Sequence, residues 1–263
     1  MPKAPRAYLY SEDDTIIGAP FFVMQRRRGL VVRRTIPEAY KDIPDAPARM
    51  SEALVDALAD LHSVNYRKIG LSSLGKPEGF IERQVTGWHK RWHVAKSEDL
   101  REMTAVHAWL ATHIPASSAA ALVHNDFKLD NVMLDPQDPG HIVAIFDWDM
   151  CTLGDPLADL GALLTYWTSP SDPPFMQSIA ATFMPAGVTG FLEREQLIDR
   201  YQRRSGRDVS DIGFYQILGL YRVAVIIAQI YIRFVRGQTQ DQRFAKYGPV
   251  IPLMARAAAA LIP

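Results

Sequence analysis

Residues 217–235 are the most hydrophobic stretch of the chain, and they dictate much of what can surround them. Apolar positions 214, 217, 218, 221, 225, 228, 232 and 235 follow the spacing of one helical face. A membrane span wants about 20 mostly apolar residues, whereas Arg222, Gln229 and Arg233 interrupt this run. The spacing therefore predicts a core helix that other elements must bury. The chain has the material for it: 263 residues, 48% hydrophobic and 22% charged, as in soluble globular proteins.

The first thirty residues read differently. Residues 7–10 and 21–24 are short aromatic-rich runs separated by an acidic turn and Gly18, which predicts two strands. Pro37, Pro44 and Pro47 predict a loop over 33–49. A helix is expected from Ser51, with Leu54, Leu58 and Leu61 on one face, and another near Ser97, burying Leu100, Met103, Val106 and Leu110. Residues 122–124, 131–134 and 142–146 are short apolar runs, and the turn-rich DPQDPGH before the last suits a hairpin. Asp155 and Pro156 read as a helix N-cap and first helical residue. Loops are expected at 170–174 and near 187–190. The fold class is α+β, with a small β-rich unit over residues 1–29 and a large helical body over 30–263.

Charge narrows the partners. Lysine plus arginine (29) cancels aspartate plus glutamate (29), so no global field would hold nucleic acid or an anionic membrane, and neither is expected. The N-terminus meets Pro2 at once and Glu12 soon after, unlike a signal peptide. The single cysteine, Cys151, cannot form an internal disulfide. The expected location is the cytoplasm.

One segment carries chemistry. His124-Asn125-Asp126-Phe127-Lys128-Leu129-Asp130-Asn131 has the form H-x-D-x-K-x-x-N, which in kinases puts a base aspartate and a metal-binding asparagine on one loop. A second aspartate should end a hairpin shortly downstream, and Asp147 does so after the apolar run IVAIF. Asp126 would accept or orient the proton of a substrate hydroxyl. Asn131 and Asp147 are hard oxygen ligands suited to Mg²⁺ held against phosphates. Lys128, two residues from the base, fits either the transferred phosphate or a structural carboxylate.

HNDFKLDNVMLD followed by IFDWDMCTLGDPLADLG resembles the aminoglycoside phosphotransferase-like family, whose members share the protein-kinase fold. ALADLHSVNYRKIGLSSLG, ERQVTGWHKRW and YRVAVIIAQIYIRFVRGQTQDQRF resemble, more narrowly, the subgroup associated with acyl-CoA dehydrogenases. The likeness covers most of residues 6–260. It implies Asp126 as catalytic base, with Asn131 and Asp147 as metal ligands. It also implies His124 as a brace of the loop and Asp159 as its buried anchor. The backbone at Gln25, Arg26 and Arg27 falls where a nucleotide hinge would lie. Trp88 and Arg91 fall in the region that approaches the acceptor.

The likeness breaks at the start. In the family a glycine-containing strand pair, a lysine strand and a glutamate helix precede the strand at 7–10, and only six residues stand before Ala7 here. A strand–helix unit with a hairpin needs upwards of about 30 residues. Lys3 is too close to the next strand to be the phosphate-binding lysine. The expectation is a truncated β-rich lobe, with an exposed strand edge prone to self-association.

Other features have simpler readings. DWDMCTLGD is reminiscent of a DxDxT phosphatase signature, but Cys151 stands where threonine is required. Cys151 has no basic neighbour and reads as an inert thiol. His62 falls on an apolar helix face and reads as a packed, hydrogen-bonded histidine. Trp88 and Trp92 at i and i+4 read as packing, and His89 and His93 lack the glutamate of HExxH. Residues 26–28 read as a solvated charge run, and Asp155 as a cap.

The resulting expectation is a kinase-like phosphotransferase moving the γ-phosphoryl group of ATP or GTP, with Mg²⁺, to a small-molecule hydroxyl. The subgroup's association with acyl-CoA dehydrogenases suggests a hydroxyacyl acceptor, free or as its CoA thioester, rather than an antibiotic, because an aminoglycoside site should be rich in acids and GWHKRWHVAK is basic. That activity is expected of a form whose N-terminal lobe is completed. Because the glycine loop and phosphate-binding lysine are absent from this sequence, the alternative is a non-catalytic kinase-like binding or scaffold protein, which an acyl-CoA dehydrogenase would partner.

Overall fold

The computed structural model describes residues 3–116, 120–169, 172–181, 184–185 and 188–263. Strands β1 (Ala7–Ser11) and β2 (Phe21–Met24) pair antiparallel, from Ala7 against Met24 to Ser11 against Phe21, with an irregularity between Ala7 and Leu9. Gly18, at φ +85°, belongs to the connection between them. The ribbon has little cover: Tyr8, Leu9, Tyr10 and Phe22 are each more than half exposed. After β2 the chain joins the body through Leu30, which exchanges backbone hydrogen bonds with Leu134 at 2.8 and 2.9 Å.

Helix α1 (Ala46–His62) begins before the expected position. Pro47 lies in its first turn, where a missing N–H costs nothing, so the last of the three prolines starts the helix. Ser51 is already inside, donating to the Pro47 carbonyl and accepting from the Leu192 amide. The predicted apolar face holds, with Leu54, Leu58 and Leu61 fully buried, each contributing roughly 1.5–3 kcal/mol. Helix α2 (Phe80–Ala95) buries Trp88 and Trp92 side by side. Helix α3 (Arg101–Thr112) starts four residues later than expected and buries Met103, Val106 and Leu110, whereas Leu100 stands at its N-cap and is only half-buried.

Three short strands follow around the central loops. β3 (Ala121–Val123) precedes the 124–131 segment, and β4 (Val132–Asp135) and β5 (Asp138–Ile145) form the hairpin, joined by a two-residue turn. A fourth, β6 (Thr152–Gly154), pairs antiparallel with β3. Its three residues are too short for alternation to register in the sequence.

Helix α4 (Pro156–Tyr166) is capped as expected, the Asp155 side chain accepting from the Leu157 amide at 3.0 Å. Then come α5 (Pro174–Ala180), α6 (Arg194–Ser205), α7 (Ile212–Val235) and α8 (Val250–Ala260). Residues 170, 171 and 187, within the two expected loops, lie outside the described residues. α7 is long and apolar enough to cross a membrane by length and composition alone. It is packed instead against α2, α4 and α8 as the core helix. Its face is buried from Phe214 to Ala228, whereas Ile232 is half-buried and Val235 exposed, so the last turn departs from the predicted stripe.

Helices α4 and α7 cross closely. A Cβ on Gly161 would run into the Tyr215 carbonyl, and one on Gly219 into the Thr165 hydroxyl. Only glycine allows the two backbones this approach. The result is an α+β chain with a small β region first and a helical region after it.

Candidate active site

The segment after β3 is held by one carboxylate that never faces solvent. Asp159, on α4, accepts the His124 amide at 2.5 Å and the Asn125 amide at 2.6 Å. These bonds pull the loop onto the helix, and Asn125 takes a left-handed conformation, φ +63°, to reach them. Asn125 also donates to the Met150 carbonyl at 2.8 Å. His62 meets Asp159 through Nε2 at 3.2 Å and Tyr201 OH through Nδ1 at 2.7 Å.

Burial opposes the charge of Asp159, but hydrogen bonds from His62 and the His124 amide outweigh it and hold the carboxyl below its usual range. Burial also holds His62 below its usual range. The pair is thus a carboxylate and a neutral imidazole, with Nε2–H donating to Asp159 and Tyr201 OH donating to Nδ1. Asp155 performs a second fixed task, accepting from Tyr215 OH at 2.8 Å and so tying α4 to α7.

His124 braces the loop: its Nε2 lies 2.8 Å from the Phe146 carbonyl, and its Nδ1 accepts the Asp126 amide at 3.3 Å. Asp126 is half-buried and faces three donors. Its Oδ2 accepts from Lys128 Nζ at 2.5 Å and Asn131 Nδ2 at 3.0 Å, and its Oδ1 accepts from Tyr166 OH at 3.4 Å. Asn131 Nδ2 also donates to the Asp126 carbonyl at 2.8 Å, which leaves the Asn131 Oδ1 side for another partner. Lys128 bridges toward Asp130, 4.0 Å away, whose buried Oδ1 has no hydrogen bond among the described residues. Burial pushes the Asp130 carboxyl up.

Asp147 ends the hairpin in a left-handed conformation, φ +59°, and is exposed. It is brought beside Asn131 because the Phe146 amide donates to the Asn131 carbonyl at 2.9 Å. Both offer hard oxygens. Among the described residues no three His, Cys, Asp or Glu side chains cluster tightly enough to hold a metal by themselves. A cation here would need oxygens from a bound phosphate as well, as Mg²⁺ usually does.

The remaining candidates lie around this centre. Gln25, Arg26 and Arg27 border a concave surface of about 440 Å³, with His141 and Val143 opposite. Arg27 is not part of a solvated charge run: its guanidinium donates to the Val143 carbonyl at 2.5 and 3.2 Å. Lys3 pairs with Asp60 at 3.5 Å. Trp88 is buried, with the exposed Arg91 stacked over it at 4.6 Å, and neither bonds to Asp126. Cys151 is inert, burial pushing its thiol up to about 11.

Sequence reasoning missed Tyr166 and Arg222. Tyr166 is 40 residues from Asp126, and Arg222, on α7, lies 5.4 Å over the Trp88 ring. Only the pairing of helices brings them in, and no local spacing encodes it.

The model of the phosphotransferase enzyme family matches residues 2–191. The chain belongs to the phosphotransferase enzyme family. Within this family it is 31% identical over 254 residues to acyl-CoA dehydrogenase family member 11 of Rattus norvegicus, covering 95% of this chain and 32% of that protein. Family member 10 of Mus musculus is 31% identical over 256 residues, covering 94% and 23%. The chain thus spans a third or less of these curated relatives. A Ralstonia eutropha structure described as an aminoglycoside phosphotransferase superposes with a TM-score of 0.85 at 27% identity, covering 99% of this chain and 78% of that one. The GDP complex of an aminoglycoside 2′-phosphotransferase superposes at 0.61 with 12% identity, covering 99% and 76%, a likeness of fold alone. The phosphotransferase fold is therefore kinase-like, as its loop motif implies.

Proposed function

We propose that this phosphotransferase moves the γ-phosphoryl group of ATP or GTP to the hydroxyl of a small molecule. The observation that carries the reading is Asp126, a half-buried carboxylate oriented by Lys128, Asn131 and Tyr166 on a loop anchored at Asp159. The acceptor oxygen attacks the γ-phosphorus, the bond from that phosphorus to the β–γ bridging oxygen breaks, and the hydroxyl proton passes to Asp126. Such transfer needs little covalent chemistry from the protein, so positioning and charge neutralisation dominate. Lys128 contributes positive charge beside the base. Asn131 and Asp147 would hold Mg²⁺, which neutralises phosphate charge when bound. Residues 25–27 supply the backbone edge for the base of the nucleotide, a reading supported by relatives solved with GDP.

The acceptor we infer is a hydroxyacyl compound, free or as its CoA thioester. Support comes from the acyl-CoA dehydrogenase relatives and from the basic α2 segment around Arg91. The reaction belongs in the cytoplasm. For partners, the exposed β1–β2 ribbon fits a second copy of the chain, and the relatives point to an acyl-CoA dehydrogenase.

The test is Asp126→Asn. Turnover should fall by about 10²–10⁴-fold with Mg–nucleotide binding preserved. Equal turnover would remove Asp126 as base, and nucleotide binding without any turnover in the parent would favour a scaffold.

A further inference from the structure

Helix α7 carries a guanidinium that the chemistry above leaves unused. Arg222 is only 8% exposed, and its Nε is buried without a hydrogen-bond partner. Among the described residues its one hydrogen-bond-like contact is from Nη2 to the thioether of Met150, a weak acceptor, at 3.7 Å. Among the described residues no carboxylate pairs with it.

A cation taken out of water is strongly disfavoured unless it is paired, and arginine is almost never fully buried alone. The Trp88 face, 5.4 Å from the guanidinium carbon, offsets only part of that, since a cation–π contact is weaker than the hydration it replaces. The position of the residue is equally specific. Met150 shares its carbonyl with Asn125 on the catalytic loop. Tyr166, which touches Asp126, is near enough that the Arg222 cation opposes the upward push of burial on its phenol.

We propose that Arg222 is the receptor for an oxygen of the acceptor's acyl group, a carboxylate or a thioester carbonyl, and so directs the acceptor hydroxyl toward Asp126. This rests on the reading of Asp126 as base for a hydroxyl acceptor. A guanidinium suits the task because its planar fork grips an acyl oxygen in a fixed orientation. Arg91, exposed and hydrated, lacks that leverage. Arg222 is in these terms a substrate-binding residue.

The experiment is calorimetry on the full chain without nucleotide, so that binding is read apart from turnover. The probes are 2-, 3- and 4-hydroxybutyrate, their CoA thioesters, and the matching butanediols, which lack an acyl oxygen. The parent should bind at least one acid or thioester, and Arg222→Lys and Arg222→Met should each weaken it by about tenfold or more. Diol binding should be the same in all three proteins. Preference for acid over thioester, or the reverse, identifies the source of the oxygen. Arg222→Met should also melt no lower than the parent, because it deletes an uncompensated buried charge. Equal affinities in parent and variants, no acyl binding by the parent, or a lowered melting point with unchanged affinity would each overturn the proposal. Acyl binding that depends on Arg222 but leads to no phosphoryl transfer would uphold the receptor and defeat the phosphotransferase reading instead.

Discussion

His62 and Asp159 meet across 3.2 Å with both side chains sealed from solvent, although 97 residues separate them in sequence. The contact joins the end of α1 to the first turn of α4 and sits beneath the 124–131 loop. Because Asp159 also takes the amides of His124 and Asn125, loop position and helix packing depend on one carboxylate.

Asp159→Asn tests that dependence. The amide must turn a donor toward one of the two backbone N–H groups, so one is left unsatisfied. Unfolding in urea should show a loss of about 1–3 kcal/mol, the cost of a buried backbone donor left unsatisfied, at unchanged denaturant slope. A loss below about 1 kcal/mol would contradict the anchoring role.

Acid should weaken the fold in two stages. Burial depresses His62 and His107, and holds His89 down to about 4, so the folded chain keeps them neutral where the unfolded chain is protonated. Their stabilisation is complete above about pH 6.5 and is lost as pH falls toward the folded values. Asp159, also depressed, adds stability above about 4 that disappears at lower pH. Melting scans between pH 7.5 and 5 should fall, and His89→Asn with His107→Asn should flatten the slope. A flat profile in the parent would show that these histidines are not held neutral.

Part of the fold and of the candidate site is legible in the sequence, for a physical reason. The 124–131 segment and Asp147 are local patterns, each fixed by the loop geometry that its chemistry needs, and the Asp155 cap involves neighbours two residues apart. Tyr166, Arg222 and the Tyr201 partner of His62 arrive through helix crossings, which leave no periodic trace. The start of α1 differs from the sequence expectation because proline breaks a helix interior yet is welcome in a first turn, where Pro47 stands.

Metal dependence should separate Asp147 from Asn131. Asp147→Ala should abolish the Mg²⁺-dependent part of nucleotide binding, and Asn131→Ala should weaken it less, because a neutral carbonyl supplies less charge stabilisation than a carboxylate. Calorimetry with and without Mg²⁺ checks this. Unchanged metal dependence in both variants would remove the pair as ligands.

The β1–β2 ribbon should make the chain associate at high micromolar concentration, since it offers an open edge and exposed Leu9 and Phe22. Light scattering should report that growth, and Leu9→Lys with Phe22→Lys should suppress it. A parent that stays monomeric throughout would mean the ribbon is inert.

The contact of α4 with α7 through Gly161 and Gly219 has a consequence for what the site can measure. With backbone pressed on backbone, neither helix has room to slide. Tyr166, in the last turn of α4, and Arg222, on α7, keep one spacing. If Arg222 takes the acyl oxygen, the fold becomes a gauge: the carbons between that oxygen and the hydroxyl either fill a preset gap or miss it. Misplacement by about 1 Å costs roughly 10²-fold in rate. Chain length would then be selected by two glycines that never touch the substrate, and a relative with alanine at either position should prefer a different length.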